Sequence, residues 1–98
     1  MKPTKAQRSR GKSHHPTPQL ATLDELRLVV GRRIAAGRHR LGLSQYQLAV
    51  HVPCHQITIT FFETSVITPS RKMMDKLAVA LEMPLFELIR GPDPWELA

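Results

Sequence analysis

Two stretches of this chain, Thr22-Leu-Asp-Glu25 and Ser44-Gln-Tyr-Gln47, share one arrangement: a hydroxyl residue followed three positions later by Glu or Gln. The hydroxyl accepts from the third residue's amide, whose side chain reaches back to the first amide. Each stretch marks a helix start. The first helix is predicted from about Leu23 to Arg40, stopping near Gly42. Leu26, Val30, Ile34 and Leu41 can share its inner face. Gly31 and Gly37 weaken it by about 1 kcal/mol each relative to Ala, unless packing requires a small residue. The second helix is short. Leu48, Ala49 and Val52 are its inward candidates, and Pro53 ends it. Thr68-Pro69 suits another start, with Thr68 as cap and proline in the first helical position. Met73, Met74, Leu77, Ala78 and Leu81 then recur at helical spacing, which reads as core. Glu82-Met83-Pro84 breaks the chain. Leu85, Phe86, Leu88 and Ile89 supply the apolar side of a last helix, which Gly91-Pro92 stops.

Between these elements lies a conflict. Ile57-Thr58-Ile59-Thr60-Phe61-Phe62 is rich in β-branched and aromatic residues and reads locally as a strand. An isolated strand or hairpin is marginal in water, and the helices around it leave no sheet for it to join. As a helix, the segment places Ile59 and Phe62 three apart, both facing inward. Tertiary burial can override a propensity conflict of this size, so helix is the expectation.

At 98 residues the chain has room for one small domain and its tails. No apolar run approaches the ~18 residues a membrane span needs. The basic start lacks the apolar stretch of a secretory signal. A single cysteine, Cys54, excludes an internal disulfide and fits a reducing compartment. The net charge of +6 is concentrated. Residues 1–21 hold Lys2, Lys5, Arg8, Arg10 and Lys12 with no acid, leaving nine Lys or Arg against eight Asp or Glu in the rest. Pro3, Pro16, Pro18 and few apolar residues make this segment a disordered basic arm. Such an arm is either drawn to a polyanion such as nucleic acid or simply solvated.

The matched residues Gly42-Leu43-Ser44-Gln45, Leu48-Ala49, Ile59, Phe62-Glu63, Pro69-Ser70, Leu85 and Glu87-Leu88 together resemble the phage-repressor-type helix-turn-helix family, the Cro and lambda-repressor-like (XRE) domains. The resemblance spans about Val30 to Ile89 without a gap. It implies that the helix from Gln45 to Val52 crosses a DNA backbone and that the next, about Gln56 to Thr64, enters the major groove. Leu48, Val52, Cys54, Ile59 and Phe62 would fill the joint. The resemblance also implies an ion pair between Arg38 and Glu63. By position, Gln56, Ile57, Thr60 and Phe61 would face base edges, with Gln56 suited to adenine and Ile57 and Phe61 to thymine methyls. Gln45, Thr58 and the amides at the helix starts would hold phosphates.

The chain departs from the family at three points. Pro53 replaces the glycine of the turn, and Ser65 replaces the glycine after the recognition helix. That helix and the loop following it carry no Lys or Arg. Compensating charge is expected from Arg38, Arg40, Arg71 and Lys72 along the DNA backbone, and from the arm in the minor groove. Arg32 and Arg33 are expected to be solvated. A different class of function fits the same oddities. Ile57 and Phe61, exposed four residues apart, suit a protein-binding adaptor whose degenerate helix-turn-helix no longer reads DNA.

The expectation is therefore an all-α, five-helix lambda-repressor-like domain at 22–91, with a disordered basic arm at 1–21 and a tail at 92–98. Its function is sequence-specific binding of double-stranded DNA in the cytoplasm by a homodimeric transcriptional regulator. A repressor is the main reading, with an antitoxin and its cognate toxin as a subtype. The last helix and Trp95 form the dimer surface, or the tail folds onto its own domain. No catalytic, metal or cofactor site is expected. His51, Cys54 and His55 lack further ligands at suitable spacing, and no phosphate-cradling loop or carboxylate pair appears.

Overall fold

A computed structural model describes residues 22–96. The expected basic arm, 1–21, lies outside the described residues. The described chain is all-α, with α1 Leu23–Arg40, α2 Gln45–His51, α3 Gln56–Glu63, α4 Arg71–Ala80 and α5 Leu85–Ile89, followed by a 3-10 turn at Pro94–Glu96. Both capping boxes form. Thr22 Oγ1 accepts from the Glu25 amide at 3.1 Å, and Ser44 Oγ accepts from the Gln47 amide at 3.0 Å. Among the described residues, no helix is long and apolar enough to cross a membrane.

The β-rich stretch is helical. Ile59 and Phe62 are buried in one cluster with Val30, Ile34, Leu48, Ala49, Val52, Leu77, Leu81 and Leu88. Burying two such side chains contributes about 1.5–3 kcal/mol each. Placing Ile57, Thr58, Ile59 and Thr60 in a helix costs at most about 0.7 kcal/mol apiece. Interior packing therefore exceeds local preference.

Some expected details change. Leu26 and Leu41 are only partly buried, and Val29 takes the inner position instead. The fourth helix does not start at Thr68-Pro69. Pro69 is buried, the Thr68 hydroxyl accepts from Arg27 Nε at 3.1 Å, and Ser70 caps α4 through the Met73 amide at 3.1 Å. In α5 only Leu88 is fully inside, while Phe86 and Ile89 face outward. His55, read from the sequence as a cap for this segment, holds the N-cap position of α3 but makes no side-chain cap bond.

Three helices end in the same double-bonded turn, with a left-handed residue just past the cap. These residues are Gly42 (φ 71°), Ser65 (φ 65°) and Glu82 (φ 56°). In the turn after α3, the Ser65 amide bonds to the Phe62 carbonyl at 3.2 Å and the Val66 amide to Phe61 at 2.9 Å. At the end of α2, Pro53 takes this position, and the Val52–Pro53 peptide is cis. The long bond, Cys54 amide to Ala49 carbonyl, is kept at 2.8 Å. The short one is missing because proline has no N–H. Ser65 thus adopts the backbone of the glycine it replaces, at a cost of about 1 kcal/mol. Ser65→Gly relieves that strain but loosens the unfolded chain by somewhat less than that. The expected net gain is about 0.5 kcal/mol, read as a higher urea midpoint at unchanged slope. A lowered midpoint would show that the 3.4 Å contact from Ser65 Oγ to the Arg27 carbonyl matters more than the strain.

The expectation of a solvated Arg33 is overturned: the residue is 8% exposed. Its guanidinium donates to the carbonyls of Arg90 at 2.7 Å, Gly91 at 3.1 Å and Leu88 at 3.3 Å, which end α5. It also pairs with both oxygens of Glu96, at 2.7 and 2.9 Å. Arg32 is exposed but donates to the Glu96 carbonyl. The segment after α5 is therefore tied back onto α1, while Trp95 stays 74% exposed. The Arg33 pair, with help from the Asp93 amide, holds the Glu96 carboxyl down at about 2 against the opposing effect of burial.

Candidate nucleic-acid interface

Helix α3 packs on α1 and α2, and two devices fix its seat. One is a close approach to α1. A Cβ on Gly31 would collide with the Phe62 carbonyl oxygen and sit 3.1 Å from that of Glu63. The other is an ion pair at the C-terminal end of α3. Arg38 Nε and Nη2 donate to the two Glu63 oxygens at 2.7 and 2.9 Å, with both side chains largely buried. Arg38 Nη1 also donates to the Leu43 carbonyl at 3.0 Å, joining the α1–α2 turn to the pair. The Glu63 hydrogen bond raises the Arg38 pKa, so the guanidinium stays charged at any ordinary pH.

The network reaches further. Gln45 Nε2 donates to Glu63 Oε1 at 3.1 Å, and Gln45 Oε1 accepts from the Thr60 hydroxyl at 2.8 Å. Arg38, Glu63, Gln45 and Thr60 thus form one chain of bonds across three helices. This sets the roles the sequence assigned them in a different light. Arg38 spends its donors on Glu63 and Leu43 rather than facing outward. Gln45 and Thr60, placed by position against phosphate and base, are bonded to each other. The signal that could have linked them is their presence on adjacent helices beside an acidic partner, but no spacing rule encodes it.

The remaining outer face of α3 is mostly apolar. Ile57 is 55% and Phe61 38% exposed. Gln56 is exposed beside them, and Thr58 is half-buried. The exposed apolar run continues into the following loop with Val66 and Ile67, whose amides both point at the Phe61 carbonyl. Candidate phosphate contacts divide. Arg40 donates to the Leu81 carbonyl at 2.7 Å and so holds the end of α4. Arg71, exposed at the start of α4, lies 3.4 Å from Asp75, and Lys72 is exposed beside it. Cys54 is half-buried in the α2–α3 joint, where burial pushes its thiol pKa up.

A short helix crossing behind a second one that is seated on the first, all on a five-helix core, is the lambda-repressor-like helix-turn-helix fold. Several solved structures share it. A hypothetical transcription factor, NHTF, from Neisseria matches 78% of this chain and 87% of its own, at 22% identity and a TM-score of 0.66. The P22 c2 repressor protein, solved in complex with the synthetic operator 9T, matches 65% of this chain and 97% of its own, at 28% identity and a TM-score of 0.61. No protein-family model and no curated protein sequence matches the chain.

Proposed function

We propose that this chain is a DNA-binding transcriptional regulator that lays α3 in the major groove, most simply as a repressor. The observation that carries the reading is the seat of α3. It is pinned by Gly31 and the Arg38–Glu63 pair so that Gln56, Ile57 and Phe61 form its outer face. The similar P22 c2 repressor was solved with operator DNA, which supports the same use of the fold here. Gln56 reads adenine, and Thr58, Arg71 and Lys72 stand on the phosphate side. Gln45 and Thr60 hold the reading helix in place. The protein acts as a homodimer on two-fold sites in the cytoplasm, with half-sites about one helical turn apart. Phe86, 64% exposed, with Ile89 and Trp95, supplies the apolar surface for that dimer.

Gln56→Ala tests the reading at one side chain. A bidentate amide–adenine contact is worth about 1–3 kcal/mol of discrimination. The variant is therefore expected to bind a preferred duplex at least fivefold more weakly while its affinity for random duplex is unchanged. Equal loss on both would remove base reading from Gln56. No measurable duplex binding by the parent protein would favour the adaptor.

A further inference from the structure

Three helices finish around one cleft. Leu41 caps the end of α1, His51 is the last residue of α2, and Ala80 is the last of α4. With Leu43, Val79 and Glu82 they line a cavity of about 370 Å³. That size falls within the range of small-molecule sites. Its walls are mostly aliphatic, and Val79 is 80% exposed. Each helix end carries negative partial charge. At α4, the Leu77, Ala78 and Val79 carbonyls accept from the Leu81, Met83 and Glu82 amides. The Ala80 carbonyl has no donor among the described residues, because the residue four positions on is Pro84. Arg40 answers this helix end at the Leu81 carbonyl, 2.7 Å away. Glu82 adds a carboxylate and is in no ion pair among the described residues. It also holds a left-handed φ of 56°, where glycine fits without strain, as Gly42 does at the end of α1. A carboxylate is thus kept at the cleft against the preference of the backbone.

We propose that this cleft is an effector site for a small organic ammonium with an apolar body. The ammonium meets the Glu82 carboxylate and the end of α4, and the apolar body lies on Leu41, Leu43 and Val79. A neutral or anionic ligand of the same shape gains only the second contact. Leu43 links the cleft to α3. Its carbonyl takes Arg38 Nη1 at 3.0 Å, and Arg38 holds both Glu63 oxygens. An occupant pressing on Leu43 therefore bears on the seat of α3. The binding site stands on the cleft alone, while its effector role rests on the DNA-binding reading above.

The test titrates the full 98-residue chain with 2-phenylethylamine and follows the backbone amide shifts. A dissociation constant of about 1 mM or tighter is expected for a probe this small. The largest shifts are expected at Leu41, Leu43, Val79 and Ala80. The alcohol 2-phenylethanol and the acid 3-phenylpropionate should bind about fivefold more weakly. Glu82→Gln and Glu82→Gly should each weaken the amine by the same factor. The glycine variant also relieves the backbone, so a folding defect does not account for its loss. Equal binding of the three probes overturns the site, as does amine binding unchanged in both variants. Shifts centred elsewhere, or none at about tenfold higher amine, also overturn it. A second arm adds the amine at saturation to the protein and a duplex selected from a random pool. Duplex affinity is expected to change by about fivefold or more, and amine affinity by the same factor when duplex is bound. An unchanged duplex affinity overturns the effector role. If no duplex is bound at all, the DNA-binding reading fails and takes the effector role with it, while the amine titration still decides the site.

Discussion

Arg33→Met is expected to lower folding stability by about 3 kcal/mol, the low end of the range for breaking a buried ion pair. Methionine keeps much of the stem that packs in the interior but removes every donor. Three carbonyls at the end of α5 and the Glu96 carboxylate then lose their partner together. The loss stays at the low end because Glu96 lies near the chain end and can turn toward water. A double variant with Glu96→Gln should cost clearly less than the sum of the two single changes, since the charges act on each other. A loss below about 1 kcal/mol would mean that the pair behaves as an exposed one.

The same pair predicts an acid response. The folded Glu96 carboxyl sits at about 2, below its ordinary value of 4.5. The folded state therefore binds fewer protons than the unfolded state between those values. The stabilisation is fully present above the ordinary carboxylate pKa and is lost as pH falls through the lowered one. After allowance for screening, its size is on the order of 2 kcal/mol. Urea unfolding from pH 5 down to pH 2 should show this loss, and Glu96→Gln should remove it. An acid response that is identical in the variant would assign it to other carboxyls.

Gly31→Ala is expected to cost about 2–3 kcal/mol, and to weaken DNA binding beyond that. In most helices Gly→Ala stabilises by about 1 kcal/mol. Here the added methyl meets the backbone carbonyls of Phe62 and Glu63, which cannot rotate away as a side chain would. Helix α3 must shift off α1, and its shift strains the Arg38–Glu63 pair. Gly37→Ala is the control on the same helix. A Cβ there meets Leu81 at an ordinary 3.4 Å, so little change or a small gain is expected. Equal effects at the two glycines would show that α1 and α3 do not meet so closely.

The helix boundaries were legible because their signals are local. Thr22, Ser44 and Gly42 act on atoms within a few residues, and Pro53 ends α2 through its own ring. The helical state of Ile57 to Phe62 could be argued only from what surrounded it, since its local chemistry favours a strand. Ser70 rather than Thr68 caps α4 because Arg27, distant in sequence, claims the Thr68 hydroxyl. The burial of Arg33 leaves no local signal for a similar reason. Its carboxylate partner stands 63 positions away, and its other partners are carbonyls, which leave no mark in a sequence. At the candidate interface, positions along α3 were readable from helical spacing. The bond from Gln45 to Thr60 was not, and it joins a residue assigned to phosphate with one assigned to a base edge.

The proposed function requires the outer face of α3 to read double-stranded DNA. Selection of bound duplexes from a random pool at physiological salt, using the full chain, decides whether it does. One two-fold motif is expected to be enriched, with half-sites spaced by about one helical turn and thymines at the positions facing Ile57 and Phe61. A pool that emerges with no enriched sequence would contradict it.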